Sequence, residues 1–154
     1  MLTVTVQSKP VDDLLTKLLA RMGNLTPAMQ GIGQELNSRI SARFETRSDP
    51  LGKPWAPWAE STRETYPKDG RGLLLERYGD MLKSLNFQAD STSVRVGFGA
   101  VASKNGDVYA AYHEWGTKKM PRRGLLFADP DDGTLAPSDE TAVLDIISVF
   151  LEPT

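Results

Sequence analysis

The chain contains no cysteine and one histidine among its 154 residues. Without a thiol there is no disulfide, no thiolate metal site and no cysteine nucleophile, so stability has to come from packing. The lone histidine, His113, is followed by Glu114, but Thr117 stands where the second histidine of a zinc-protease helix would be. No Gly-Lys-Ser or Gly-Lys-Thr phosphate loop is present, and Gly97-Phe98-Gly99 lacks the third glycine of a dinucleotide site. The carboxylate pairs Asp12-Asp13 and Asp131-Asp132 fall at a helix start and in a loop, where such groups are solvated. No catalytic residue, metal ligand or cofactor site is expected from these patterns, and the chain reads as a non-enzyme. Apolar runs of the roughly 18 to 20 residues that cross a bilayer are also missing. The segment Met1 to Gln7 has neither the basic start nor the continuous apolar stretch of a signal peptide, so a soluble intracellular protein is expected, with no membrane partner.

What the chain does have is concentrated in one run. Asp49 to Trp58 carries three prolines, a glycine and two of the three tryptophans. Pro54 and Pro57 remove backbone donors and push their predecessors out of the helical region, so an extended, stiffened loop is expected, running from Ser48 to Gly72. Rings on such a loop need a surface to lie against. Trp55 and Trp58 either reach into the domain's own core or anchor a partner protein, where rigid aromatics are costly to lose.

Charge is segregated although the net value is only −2. From Gly124 to Thr154 there are seven acidic residues and no lysine or arginine, whereas Arg63 to Arg123 holds eleven basic residues against seven acidic. The basic stretch ends in Lys118, Lys119, Arg122 and Arg123. This cluster fits a solvated loop, a nucleic-acid contact, or a patch that meets the acidic Asp129, Asp131 and Asp132 of a neighbouring copy. Trp115 and Tyr112 nearby suit base stacking, but a pI near 5.4 argues against a strong duplex footprint.

The order of elements follows from periodicity. Met1 to Gln7 alternates as an edge strand, pairing either within the chain or with a neighbour's sheet. Val11, Leu14, Leu15, Leu18, Leu19 and Met22 fall at helical spacing and stop at Gly23-Asn24. Thr26 as N-cap and Pro27 at the first helical position are expected to open the longest helix, with a stripe of Met29, Ile32, Leu36, Ile40 and Phe44. Leu74, Leu75, Tyr78, Met81, Leu82 and Leu85 predict a further helix interrupted by Gly79. A hairpin is expected from Leu85 to Phe98 about the turn Asp90 to Ser93, then a turn at Lys104 to Asp107 and a short helix or strand from Val108 to Trp115. A last helix spans Pro137 to Thr154, with Ser138 as cap and Ala142, Val143, Ile146, Ile147, Phe150 and Leu151 on one face. The predicted class is α+β in one domain over residues 1–154: a small antiparallel sheet packed by a long helix and several shorter ones.

In their order these pieces resemble the phage virion morphogenesis family, which includes tail-completion proteins of contractile-tailed temperate phages and Mu-like prophages. The resemblance is carried by Asp49-Pro50-Leu51-Gly52-Lys53-Pro54-Trp55 with Pro57-Trp58 and Ser61-Thr62, and by Leu74-Leu75 with Gly79, Met81, Leu82 and Ser84-Leu85. Val96-Gly97, Tyr109-Ala110, His113-Glu114-Trp115-Gly116-Thr117, Pro121-Arg122-Arg123 and Leu125-Leu126-Phe127 continue it. Glu114 stands where relatives usually have glutamine, Tyr78-Gly79 where they have Thr-Gly, and Pro121-Arg122-Arg123 where they read Pro-Ala-Arg. The resemblance implies a structural protein that completes the tail or neck for head-tail joining, as a ring of copies, in the host cytoplasm and then in the virion. Tail and head or neck proteins are the implied partners. Candidate interface residues are Trp55, Trp58, Trp115, Lys118, Lys119, Arg122, Arg123, Asp129, Asp131 and Asp132.

Overall fold

Helix α2, Thr26–Thr46, organises the molecule, because one face of its 21 residues is apolar and has to be covered. A computed structural model describes residues 2–5, 8–66, 68, 70, 72–76, 79–99 and 109–151. Before α2 come strand β1 (Leu2–Thr5) and helix α1 (Lys9–Met22). After it follow α3 (Glu60–Thr65), α4 (Asp80–Lys83), β2 (Leu85–Ala89), β3 (Val94–Phe98), α5 (Tyr109–Trp115) and α6 (Pro137–Leu151). The expected stripe of α2 is buried at every position, Met29, Ile32, Leu36, Ile40 and Phe44. The helix begins at Thr26 itself, and the oxygen of Asn24 accepts from the backbone N–H and the hydroxyl of Thr26. α2 packs on β2 and β3 with one flank and on α6 with another, and α1 leans on α6. The class is the predicted α+β.

The sheet has the order β1-β3-β2 and is antiparallel throughout. The hairpin register puts Leu85 opposite Phe98 and Ala89 opposite Val94, and Asp90 closes the turn by accepting from the N–H groups of Thr92 and Ser93. Those donors hold its carboxyl below the usual aspartate range. β1 pairs with β3 in its own chain, Leu2 with Phe98 and Thr5 with Arg95, which settles the choice left open for this strand in favour of intrachain pairing. Central β3 contributes Val94, Val96 and Phe98 to the core beside Phe44 and the buried face of α6, namely Ala142, Val143 and Ile147.

Two expectations need correction. The helix predicted over residues 74–85 is reduced to Asp80–Lys83, because Leu75 (φ 60°) and Gly79 (φ 78°) occupy the left-handed region that a right-handed helix cannot contain. Tyr78 lies outside the described residues, as do the turn at Lys104–Asp107 and the chain beyond Leu151. The loop from Ser48 to Gly72 is not extended throughout, since α3 occupies Glu60–Thr65 with every residue exposed.

Contact between α2 and β2 depends on a missing side chain. A Cβ built on Gly33 would lie 2.2 Å from Cδ2 and 2.8 Å from Cγ of the half-buried Phe87. Gly33→Ala therefore overpacks this contact, and a loss of about 1–3 kcal/mol is expected in chemical denaturation despite the better helix propensity of alanine. Adding Phe87→Leu should recover part of the loss. Full stability in Gly33→Ala alone would show that the ring moves aside freely.

Candidate functional site

The segment Gly124 to Phe127 belongs to no helix or strand, yet all four residues are buried. Its backbone polar groups need partners in the interior, and side chains supply them. Glu114, at the end of α5 and fully buried, accepts from the N–H of Leu125 at 2.6 Å and of Leu126 at 3.0 Å through Oε2. Its Oε1 accepts from the N–H of Phe127 at 3.0 Å. The Leu125 carbonyl accepts from Arg43 Nη1 at 2.6 Å, and the Gly124 carbonyl from the indole Nε1 of Trp55 at 2.9 Å. Arg122 folds back over the same stretch, donating to the Glu114 carbonyl (2.6 Å) and the Phe127 carbonyl (2.7 Å), with Nη2 3.5 Å from the Glu114 carboxylate. Arg43 continues to Asp139 in the first turn of α6, where Arg39 also approaches at 3.5 Å.

Each part of this clamp has a local cause. α5 ends because Gly116 takes φ 73° and its N–H caps the carbonyl of Tyr112. A side chain there would also collide with the backbone of Arg122, whose N is 2.9 Å from a built Cβ. Thr117 and Met120 then close a tight turn by exchanging backbone hydrogen bonds. This returns the chain so that the N–H of Arg123 reaches the His113 carbonyl at 2.8 Å. The Arg123 side chain extends the other way, donating to the carbonyls of Ala56 and Pro57 at 2.8 and 2.9 Å. His113 is held between these groups. Burial foremost, and the Arg123 charge next, lower its pKa to about 4.

The predicted site residues divide accordingly. Trp55 is a core residue at 5 % exposure, edge-on to Phe44 with ring centroids 5.5 Å apart. Trp58 is half-buried and stacks on Tyr66 at 4.8 Å. Arg122 and Arg123 are not free surface charges, because their guanidiniums bond to carbonyls of their own chain. Trp115, Lys118, Lys119, Asp129, Asp131 and Asp132 are exposed. Sequence reasoning missed Glu114, Arg43 and Asp139 as structural residues. The available signal was an arginine inside the apolar stripe of α2, one turn from Ile40 and beside Phe44.

Chemically the arrangement holds and positions. Among the described residues no group of three or more acidic or histidine side chains could hold a metal ion. Two open grooves, of about 580 and 530 Å³, lie beside Arg39, Pro137 and Ser138 at the start of α6. The buried Nδ1 of His113 finds no hydrogen-bond partner among the described residues.

Two predictions follow from the clamp. Glu114→Gln puts an amide NH₂ against backbone donors and leaves Arg122 uncompensated, so a loss of about 2–4 kcal/mol is expected in denaturant titration. Combined with Arg122→Ala, the cycle should show a coupling of roughly 1–3 kcal/mol, and additive effects would deny that the two act as a pair. For His113 the folded pKa lies below the unfolded 6.5, so the unfolded chain binds the proton first. Its stabilising effect is complete above pH 6.5 and lost as the pH falls toward 4, at most about 3 kcal/mol. His113→Gln should flatten the stability profile in that window, and an unchanged slope would assign it to other groups.

No curated protein and no solved structure matches the chain. A family profile does, over residues 6–152, and this span contains the Trp loop, the clamp and the last helix. No helix among the described residues is long and apolar enough to cross a membrane. With nearly its whole length matched, the chain belongs to the phage virion morphogenesis family and has a role in building the virion among other virion proteins.

Proposed function

We propose that this chain is a non-enzymatic structural protein that completes the tail or neck of a phage or prophage virion so that head and tail join. It acts as a ring of copies, assembled in the host cytoplasm and retained in the tail or neck. One observation carries the reading: Arg122 and Arg123 of the predicted basic cluster turn inward, Arg122 into the clamp centred on Glu114, while the turns on either side, at Lys118-Lys119 and Asp131-Asp132, are left exposed. Such surfaces suit adhesion, because ordered turns lose little conformational entropy on docking. A ring needs two different patches per copy, and the turns at Lys118-Lys119 and Asp131-Asp132 carry opposite charge.

Nucleic-acid binding at the DNA exit is the second reading, favoured by the exposure of Trp115 and Tyr112 beside two lysines. It is weakened because Arg122 and Arg123, half of the cationic cluster, are engaged within the chain. Electron micrographs of particles made without this protein test the main reading. Full heads and separate, unjoined tails are expected, and normally joined particles would contradict it.

A further inference from the structure

Two turns flank the clamp, and they differ in charge. The first, Thr117 to Met120, carries Lys118 and Lys119 on a two-residue tip closed by mutual backbone hydrogen bonds of 3.0 and 3.2 Å. Gly116 alone separates it from Trp115, which is 43 % exposed despite its size, and Tyr112 one turn earlier on α5 is 38 % exposed. The second, Asp129 to Thr134, is closed by the Thr134 N–H donating to Asp129 at 3.0 Å and the Ala128 N–H donating to Thr134 at 2.9 Å. The Asp129 carboxylate serves this turn internally, accepting from the N–H groups of Asp131 and Asp132. That leaves Asp131 and Asp132 exposed at the tip. No ion pair among the described residues engages Lys118, Lys119, Asp131 or Asp132.

Arg122 ties the turns together. Its backbone lies two residues beyond Met120, and its guanidinium reaches the carbonyls of Phe127 and Ala128, next to Asp129. The basic aromatic corner and the acidic turn are therefore rooted on the same side chain and held in fixed relation. A polyanion approaching Lys118 and Lys119 meets the negative tip as well. A second copy of this chain offers both signs at once and gives the exposed indole a protein surface to cover it.

We propose that the corner formed by Trp115, Lys118 and Lys119 on one copy docks on the Asp129–Thr134 turn of the next. This names the contact within the ring reading given above and rests on it. The lysines and aspartates form the polar rim, and the Trp115 ring is the anchor.

Charge reversal tests the contact on the full chain by sedimentation velocity at low salt. Lys118→Glu with Lys119→Glu, and separately Asp131→Lys with Asp132→Lys, should each weaken self-association by about ten-fold or more. Mixing the two variants, or combining all four changes in one chain, restores opposite charges across the contact and should restore association. Trp115→Ala should abolish it without lowering the melting temperature, since the side chain is exposed. Raising salt to about 1 M, where the screening length is about 3 Å, should weaken the wild-type assembly in parallel. The contact is overturned by a wild-type chain that stays monomeric at its highest soluble concentration, or by variants that associate normally. It is equally overturned by a mixture that fails to recover, or by random duplex DNA shifting through the same lysines while the protein remains monomeric. None of these results bears on the micrographs of particles lacking the protein, so the tail-completion reading stands or falls separately.

Discussion

Three backbone N–H groups converge on the buried carboxylate of Glu114, and the placement of every surrounding segment depends on that convergence. An isolated carboxylate in an apolar interior is very costly, as is an irregular backbone stretch with unpaired donors. Each problem solves the other here: the charge is stabilised by dipoles aimed at it, and the donors of Leu125, Leu126 and Phe127 gain an acceptor. Arg122 at the edge compensates the remaining charge, and Arg43 and Trp55 satisfy the carbonyls on the opposite side. Four remote parts of the chain, the end of α2, the Trp loop, α5 and the start of α6, are thereby joined through a segment with no regular structure of its own.

In a chain without cysteine, where no disulfide can tie down a loop, this network does so. The Trp loop is pinned at Trp55 by core packing and at Ala56 and Pro57 by the Arg123 guanidinium. Prolines limit the entropy that ordering it removes. Because the basic corner and the acidic turn spring from opposite ends of the clamped segment, they inherit its rigidity. Assembly proteins need surfaces that arrive in register, and a buried polar network fixes geometry more uniquely than apolar contact alone does.

Much of the fold was legible in the sequence, because the apolar stripes of α2 and α6 and the alternation in β2 and β3 coincide with real core faces. Of the α1 stripe, Val11 is buried and Leu14 and Leu15 are half-buried, whereas Leu19 is exposed. The hairpin turn at Asp90 was legible for the same local reason. The helix over residues 74–85 was misread because leucines at helical spacing can also pack from a broken turn, and spacing alone does not reveal φ at Leu75. The site was harder. Lys118 and Lys119 are exposed as a loop cluster should be, but Arg122 and Arg123 looked identical to them in sequence. Only long-range contacts to Phe127, Ala56 and Pro57 distinguish an internal donor from a surface charge. Glu114 was hidden similarly, since its partners follow 11 to 13 residues later and are backbone amides that no side-chain pattern encodes. Of the three departures that the resemblance implies, Glu114 and Arg122 meet in space, and Tyr78 lies outside the described residues.

The central claim is that an irregular segment is as firmly held as the core, and amide hydrogen exchange measures this directly. The account predicts that the N–H groups of Leu125, Leu126 and Phe127 exchange only on opening that costs within about 1–2 kcal/mol of global unfolding, comparable to amides of α2. Exchange at the rate of an exposed loop would contradict it.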